Sequence, residues 1–195
     1  MKPLIILTIS LVFLSSCATL HFSAEKKATV KDLSIDWTFS KSVDREYIPN
    51  IDSVMTVVIA NYNSHSHSFK VHKKLATEPE GLTINFSRGK FTGDGEITAS
   101  YLVSAIGLIA APITMYSASN GQGIVFFWYF ATDHIRLKTS LSPELAGNNG
   151  KTVVSFIETG ATFSRKSARM ARMCNGINDY VSNILLKLDS STESE

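Results

Sequence analysis

Cysteine is almost absent from this sequence: two in 195 residues, Cys17 and Cys174. A small scaffold stapled by disulfides is therefore excluded, and stability must come from a packed core. A surplus of one charge is missing too. Nineteen Lys and Arg face seventeen Asp and Glu, a net charge of +2, so bulk charge does not point to a nucleic-acid partner. Five prolines and eleven glycines are too few for a collagen-like or low-complexity chain. Chemical motifs are lacking as well. No G-x-S-x-G elbow surrounds a serine, and Gly121-Gln122-Gly123 lacks the remainder of a phosphate loop. The run Gly93 to Glu96 is too short for a calcium loop. The expectation is a protein that is not an enzyme and needs no cofactor.

What is present starts at the N-terminus. Lys2 precedes an uncharged apolar run, Leu4 to Leu14, and Ser15-Ser16-Cys17 follow. A positive start, a short apolar stretch and small residues at its exit describe a secretory signal peptide. The run is shorter than the roughly 20 apolar residues of a spanning helix. Leu14-Ser15-Ser16-Cys17 resembles the lipobox of bacterial lipoproteins. That resemblance implies cleavage between Ser16 and Cys17 and diacylglycerol on the Cys17 thiol, with further acylation of the new amine. Ala18 in place of aspartate resembles the pattern sorted to the outer membrane, with the domain facing the periplasm. The division this implies is a signal peptide over 1–16, a lipidated N-terminus and tether over 17–28, one domain over 29–188 and a polar tail over 189–195. Cys174 then has no partner within the chain and reads as a buried thiol.

The mature part alternates between two periods. Thr29 to Phe39, the segment around Phe69 to Leu75, and Gly81 to Gly89 alternate apolar and polar residues, as half-buried strands do. Ile48, Ile51, Met55, Val58 and Tyr62 instead recur at threes and fours, with Pro49 suited to a first helical turn. "TGDGE", Thr92 to Glu96, reads as a turn. His134 to Leu141 and Lys151 to Glu158 alternate again around "GNNG", a hairpin signal. A closing helix from about Ser164 to Leu188 carries a stripe through Met173, Ile177, Val181 and Leu188. Arg165, Lys166, Arg169 and Arg172 at its start read as a solvated face. The expected fold is α+β: a mainly antiparallel sheet with about two helices on one face and an apolar hairpin insert.

That insert runs over about 99–131, where no charged residue occurs. Asn120 to Gly123 divide it into two arms. Three environments fit: a re-entrant or interfacial membrane hairpin, the protein core, or a surface for an apolar ligand or partner. The aromatic second arm suits headgroup level, and a lipid anchor would already hold the domain at a bilayer. The expected contact residues are Tyr101, Leu102, Ile106, Leu108, Ile109, Phe126, Phe127, Trp128, Tyr129 and Phe130. The expected partners are membrane lipid, through acylated Cys17, and an envelope protein. A carrier that shields a lipid under the same segment is the alternative. His65 and His67 are weak metal candidates: His-x-His puts two rings on one face of a strand, but zinc needs further ligands at suitable spacing. Asp133-His134 reads as the point where the chain leaves the apolar environment.

Overall fold

A computed structural model describes residues 31–74, 81–119, 129–142, 145, 152–160 and 165–192. The elements are β1 (Asp32–Phe39), α1 (Ile48–Ser64), β2 (Lys70–Lys73), β3 (Gly81–Lys90), α2 (Asp94–Ser119), β4 (Thr132–Leu141), β5 (Thr152–Gly160) and α3 (Lys166–Thr192). The expected signal peptide over 1–16, with Ser16, and the expected lipidated Cys17 and tether over 17–28 lie outside the described residues.

The five strands form one sheet in the order β2-β1-β3-β4-β5. β1 pairs parallel with both β2 and β3, whereas β3–β4 and β4–β5 are antiparallel. The expectation of a mainly antiparallel sheet is thus corrected to a mixed one. Two connections account for the difference. α1 carries the chain from β1 back to a parallel neighbour, the usual helical crossover. β2 and β3 follow each other closely in sequence, which suggests adjacent antiparallel strands, yet β1 lies between them.

Alternation sets the two faces of the sheet. Leu33, Ile35 and Trp37 of β1, Leu82, Ile84 and Phe86 of β3, and Ile135 and Leu137 of β4 point into the core. α1 covers them with Ile51, Met55, Val58 and Tyr62. α3 adds Met173, Ile177, Val181, Ile184, Leu185 and Leu188 and packs against α1. Trp37 Nε1 donates to Asp52 Oδ1 at 2.8 Å, fastening β1 to α1. On the opposite face Thr83, Asn85, Arg88, Arg136 and Lys138 are exposed among the described residues. A third described helix, α2, belongs to neither layer, so the expected pair of helices becomes three. "GDGE" is not a turn either: the helix starts at Asp94, and Asp94 and Glu96 occupy its first turn, where acidic side chains complement the helix dipole.

A bulge in β3 has consequences further on. Phe86 stands opposite Leu137 and Arg88 opposite Arg136, which leaves Ser87 as the extra residue. Its carbonyl accepts hydrogen bonds from the Ser40 and Ser42 hydroxyls at 2.7 and 2.9 Å, and its own hydroxyl donates to Arg136 O at 3.1 Å. The added residue flips the side-chain parity. Gly89 turns inward, where a Cβ would meet Val43 Cγ1 at 3.3 Å. Arg88 and Lys90 turn to the face opposite the core.

Candidate docking site at the root of the apolar helix

α2 leaves the domain between β3 and β4, whose ends are paired through Lys90 and His134. Its root is clamped from α3. Arg169 and Asp133 are 1% and 0% exposed. Arg169 Nη2 donates to Thr92 O at 2.9 Å, and Thr92 N donates to Asp133 Oδ1 at 2.8 Å. The direct contact, Arg169 Nε to Asp133 Oδ2, is 3.4 Å, so the pair meets chiefly through the Thr92 backbone. The Arg169 guanidinium lies 4.4 Å from the centre of the Phe91 ring. Tyr47 closes the floor, its hydroxyl donating to Met173 Sδ at 3.6 Å. Burial, and then the Asp133 charge, push that phenol well above its ordinary pKa.

Above the root most of the described α2 side chains are exposed. It is 26 residues long, about 39 Å at 1.5 Å per residue. No described α2 residue belongs to the buried apolar core. Leu102, Ile106, Ile109, Ile113 and Tyr116 form an outward stripe, and Ile109 is 77% exposed. Leu108 is exposed as well, while Tyr101 is half-buried. Asp94–Ile113 is long and apolar enough to cross a membrane, and only 17% of its apolar window is buried inside the chain. The core expectation for this arm is therefore overturned. Ser100, Ser104 and Gly107 make up a buried side of small residues. The returning chain meets that side, where the Ser104 hydroxyl donates to Tyr129 O at 3.1 Å. Tyr129 Oη donates to Glu96 Oε1 at 2.9 Å, and Lys90 Nζ reaches the same carboxylate at 2.8 Å. Tyr129 and Phe130 are exposed. Phe126, Phe127 and Trp128 lie outside the described residues.

The histidines sit elsewhere and point to different tasks. His65 follows α1, its Nδ1 2.9 Å from Asn61 O. His67 stacks on Tyr62 with ring centres 3.9 Å apart, and its Nδ1 lies 2.7 Å from Asp189 Oδ2. Both lie on the loop between α1 and β2, so they lack the strand geometry that would put two rings on one face. No group of three His, Cys, Asp or Glu suited to a metal occurs among the described residues. The Ser68 backbone N–H donates to Asp189 Oδ1 at 2.8 Å, and its hydroxyl donates to the same oxygen. Asp189 thus stands between serine and histidine, whereas nucleophile activation places the imidazole in the middle. Burial pushes the Asp189 carboxyl up, but the hydrogen bonds from Ser68 and His67 outweigh it and hold it below the ordinary range. Val58, Tyr62, His67 and Leu186 help to line a groove of about 450 Å³ between α1 and α3.

Sequence reasoning missed the Arg169–Asp133 clamp. Arg169 reads as one of four cations on a solvated face, and Asp133 as a chain exit. One signal was available: a cation cluster at a helix N-terminus conflicts with the dipole, which implies that some members have carboxylate partners. Lys166 does as well, its Nζ 2.8 Å from Glu46 Oε2. Cys174 is half-buried, and burial raises its thiol pKa.

No family model and no curated protein matches this sequence. Among solved structures the chain is similar to a minor lipoprotein from Acinetobacter baumannii, at a TM-score of 0.36 and 4% identity, over 81% of this chain and 93% of that one. A likeness this distant carries no functional inference.

Proposed function

We propose that this chain is a lipid-anchored, non-enzymatic protein of the cell envelope that docks to a bilayer at two points: acyl chains on Cys17 and the apolar α2 arm. The observation that carries the reading is that α2 leaves Leu102, Ile106, Leu108, Ile109, Ile113 and Tyr116 exposed, while no described α2 residue joins the apolar core of the domain. A helix of that composition belongs in a large core or a membrane. A protein groove would cover one face and leave the others wet, so lipid fits better than a partner surface. Ile97 to Ser119 carry no charge, about 34 Å of helix against a hydrocarbon thickness of about 30 Å. The two ends of the insert sit on neighbouring strands. Insertion is then re-entrant, with both ends on the anchored side. Dual attachment makes the second contact intramolecular and fixes how the domain faces the membrane. The lipobox and Ala18 favour the periplasmic leaflet of the outer membrane.

The test compares wild type with Cys17→Ser by the mass of the mature N-terminal peptide and by alkaline extraction of membranes. Acylated wild type, together with a variant that sediments and resists extraction, is the expected result. An unacylated wild type removes the anchor from the reading, and a variant fully released by alkali removes the arm.

A further inference from the structure

We infer that His65 and His67 hold a divalent late transition-metal ion, copper(II) in preference to zinc, at the groove between α1 and α3. This goes beyond bilayer docking and does not depend on it. The loop after α1 brings the two rings together without a strand: their centres are 6.2 Å apart and their planes are tilted by 52°. Each ring also carries the tautomer that a metal needs. His65 Nδ1 is 2.9 Å from Asn61 O, and His67 Nδ1 is 2.7 Å from Asp189 Oδ2. A carbonyl and a carboxylate only accept, so both Nδ1 atoms hold the proton and both Nε2 atoms keep a lone pair. Ser64 Oγ, 3.1 Å from His65 Nδ1, does not alter this, because its hydroxyl donates to Asn61 O at 2.7 Å. Among the described residues neither Nε2 has a hydrogen-bond partner. His65 is exposed and His67 half-buried, so an ion reaches both.

An acceptor behind each ring is the outer shell that orients metal-binding histidines and raises their basicity. Here that shell is itself fixed. Asp189 is 8% exposed and accepts from the Ser68 N–H at 2.8 Å and from the Ser68 hydroxyl. His67 lies flat on Tyr62, with the ring planes within 8°. The separation of the rings selects the ion. A metal–nitrogen bond of about 2.0–2.1 Å puts a ring centre about 3.2 Å from the metal. Two rings on one ion are then about 6.4 Å apart when trans and about 5.3 Å apart at a tetrahedral angle. The observed 6.2 Å is nearer the trans, tetragonal arrangement of copper(II). No group of three such ligands forms among the described residues, and Asp189 stands behind His67 rather than beside it. The ion is therefore exchangeable, unlike the closed four-ligand structural sites. Its remaining positions face a groove of about 450 Å³ lined also by Asn61, Ser66 and Ser182, where water or an oxygen ligand completes the shell. Lys70, three residues after His67, pairs with Asp32 at the end of the sheet away from the α2 root. Insertion of α2 thus leaves the site uncovered.

The experiment titrates the untagged mature chain in mild detergent with copper(II) alone and with zinc alone at neutral pH. Cys17→Ser and Cys174→Ser are present throughout, so that no thiol competes. One ion per chain is expected, with copper bound more tightly than zinc. H65A alters an exposed side chain and should leave the metal-free melting temperature unchanged. It should lose ~100-fold or more in copper affinity, because the remaining ring no longer has a second ligand tethered beside it. D189N, measured where it is folded, should bind copper about 10–100-fold more weakly through the loss of its outer-shell contact to His67. H72A is the control: His72 pairs with Asp32 on β2, and its loss should leave copper binding as in wild type. Electron paramagnetic resonance of the copper-loaded chain should show two imidazole nitrogens, and one in H65A. Equal binding by wild type and H65A, or fewer than two nitrogens in the wild-type spectrum, assigns any uptake to scattered surface histidines and overturns the inference. The absence of heat and of any spectral change with either ion overturns it as well.

Discussion

Arg169 and Asp133 illustrate how a buried pair can serve position more than stability. Their side chains meet at 3.4 Å, but each also holds one polar group of Thr92. Asp133→Asn should destabilise the domain by about 3–5 kcal/mol, because it leaves a buried guanidinium without its counter-charge. The double variant D133L/R169M removes both charges, and a simple buried pair would then recover. Here it should recover only in part, since the Thr92 N–H and C=O lose their partners at about 1–3 kcal/mol each. A urea-unfolding cycle in mild detergent checks this, and full recovery would show that Thr92 finds other partners. Asp189 gives a prediction in pH. Its folded pKa is depressed, so its contribution is present above the unfolded value of about 3.9 and fades as pH falls through the folded value. Asp189→Asn should therefore be less stable than wild type at neutral pH, by about 1–3 kcal/mol for hydrogen bonds to a charged group. The difference should close in acid. Melting temperatures of both proteins across pH test it, and a gap that widens in acid contradicts the assignment.

At the scale of elements, α2 allows folding to be tested apart from the proposed docking. Ile106 and Ile109 are exposed and outside the core, so I106K and I109K should leave the melting temperature unchanged. Each places a charge in the apolar arm, at about 2.5–3.5 kcal/mol if that position reaches the bilayer centre. Vesicle flotation of the Cys17→Ser chain should fall by about a hundredfold per substitution. A drop in melting temperature instead would mean that the helix packs on its domain. The sequence made much of this element legible. An uncharged run is visible without a structure, and so is the stripe of Ile51, Met55, Val58 and Tyr62 that becomes α1. Strand direction was not legible, because Lys70–Lys73 and Gly81–Lys90 alternate alike whether they pair with each other or flank β1. The bulge at Ser87 was equally hidden. Alternation over "GLTINFSRGK" gives no sign that parity changes after Phe86, and so none that Arg88 faces outward beside Arg136. Core and membrane also prefer the same residues, so only the packing around α2 distinguishes them.

The whole molecule raises a question of reach. β1 runs parallel to β3, so Asp32, where the tether joins, lies at the end of the sheet away from the α2 root. The distance along β1, seven residue steps, is about 23 Å. From Cys17 to Lys31 there are fourteen steps, at most about 46–50 Å when extended. On the proposed docking, that is enough for acyl chains on Cys17 and the α2 arm to enter one leaflet with the domain lying alongside. Deleting residues 20–28 leaves five steps, at most about 18 Å, which is shorter than the sheet. The truncated protein should still be acylated and still sediment with membranes. Its α2 arm, however, should no longer reach lipid. An environment-sensitive fluorophore on Ile109→Cys, in a Cys174→Ser background with Cys17 acylated, reports this directly. The label should sit in an apolar environment with the full tether and in water with the short one. If the label stays apolar after the deletion, the arm engages something on the far side of the domain from the anchor, and the two attachments do not share a leaflet. A label in water with both tethers would instead mean that the arm stays outside the bilayer while the anchor alone holds the protein there.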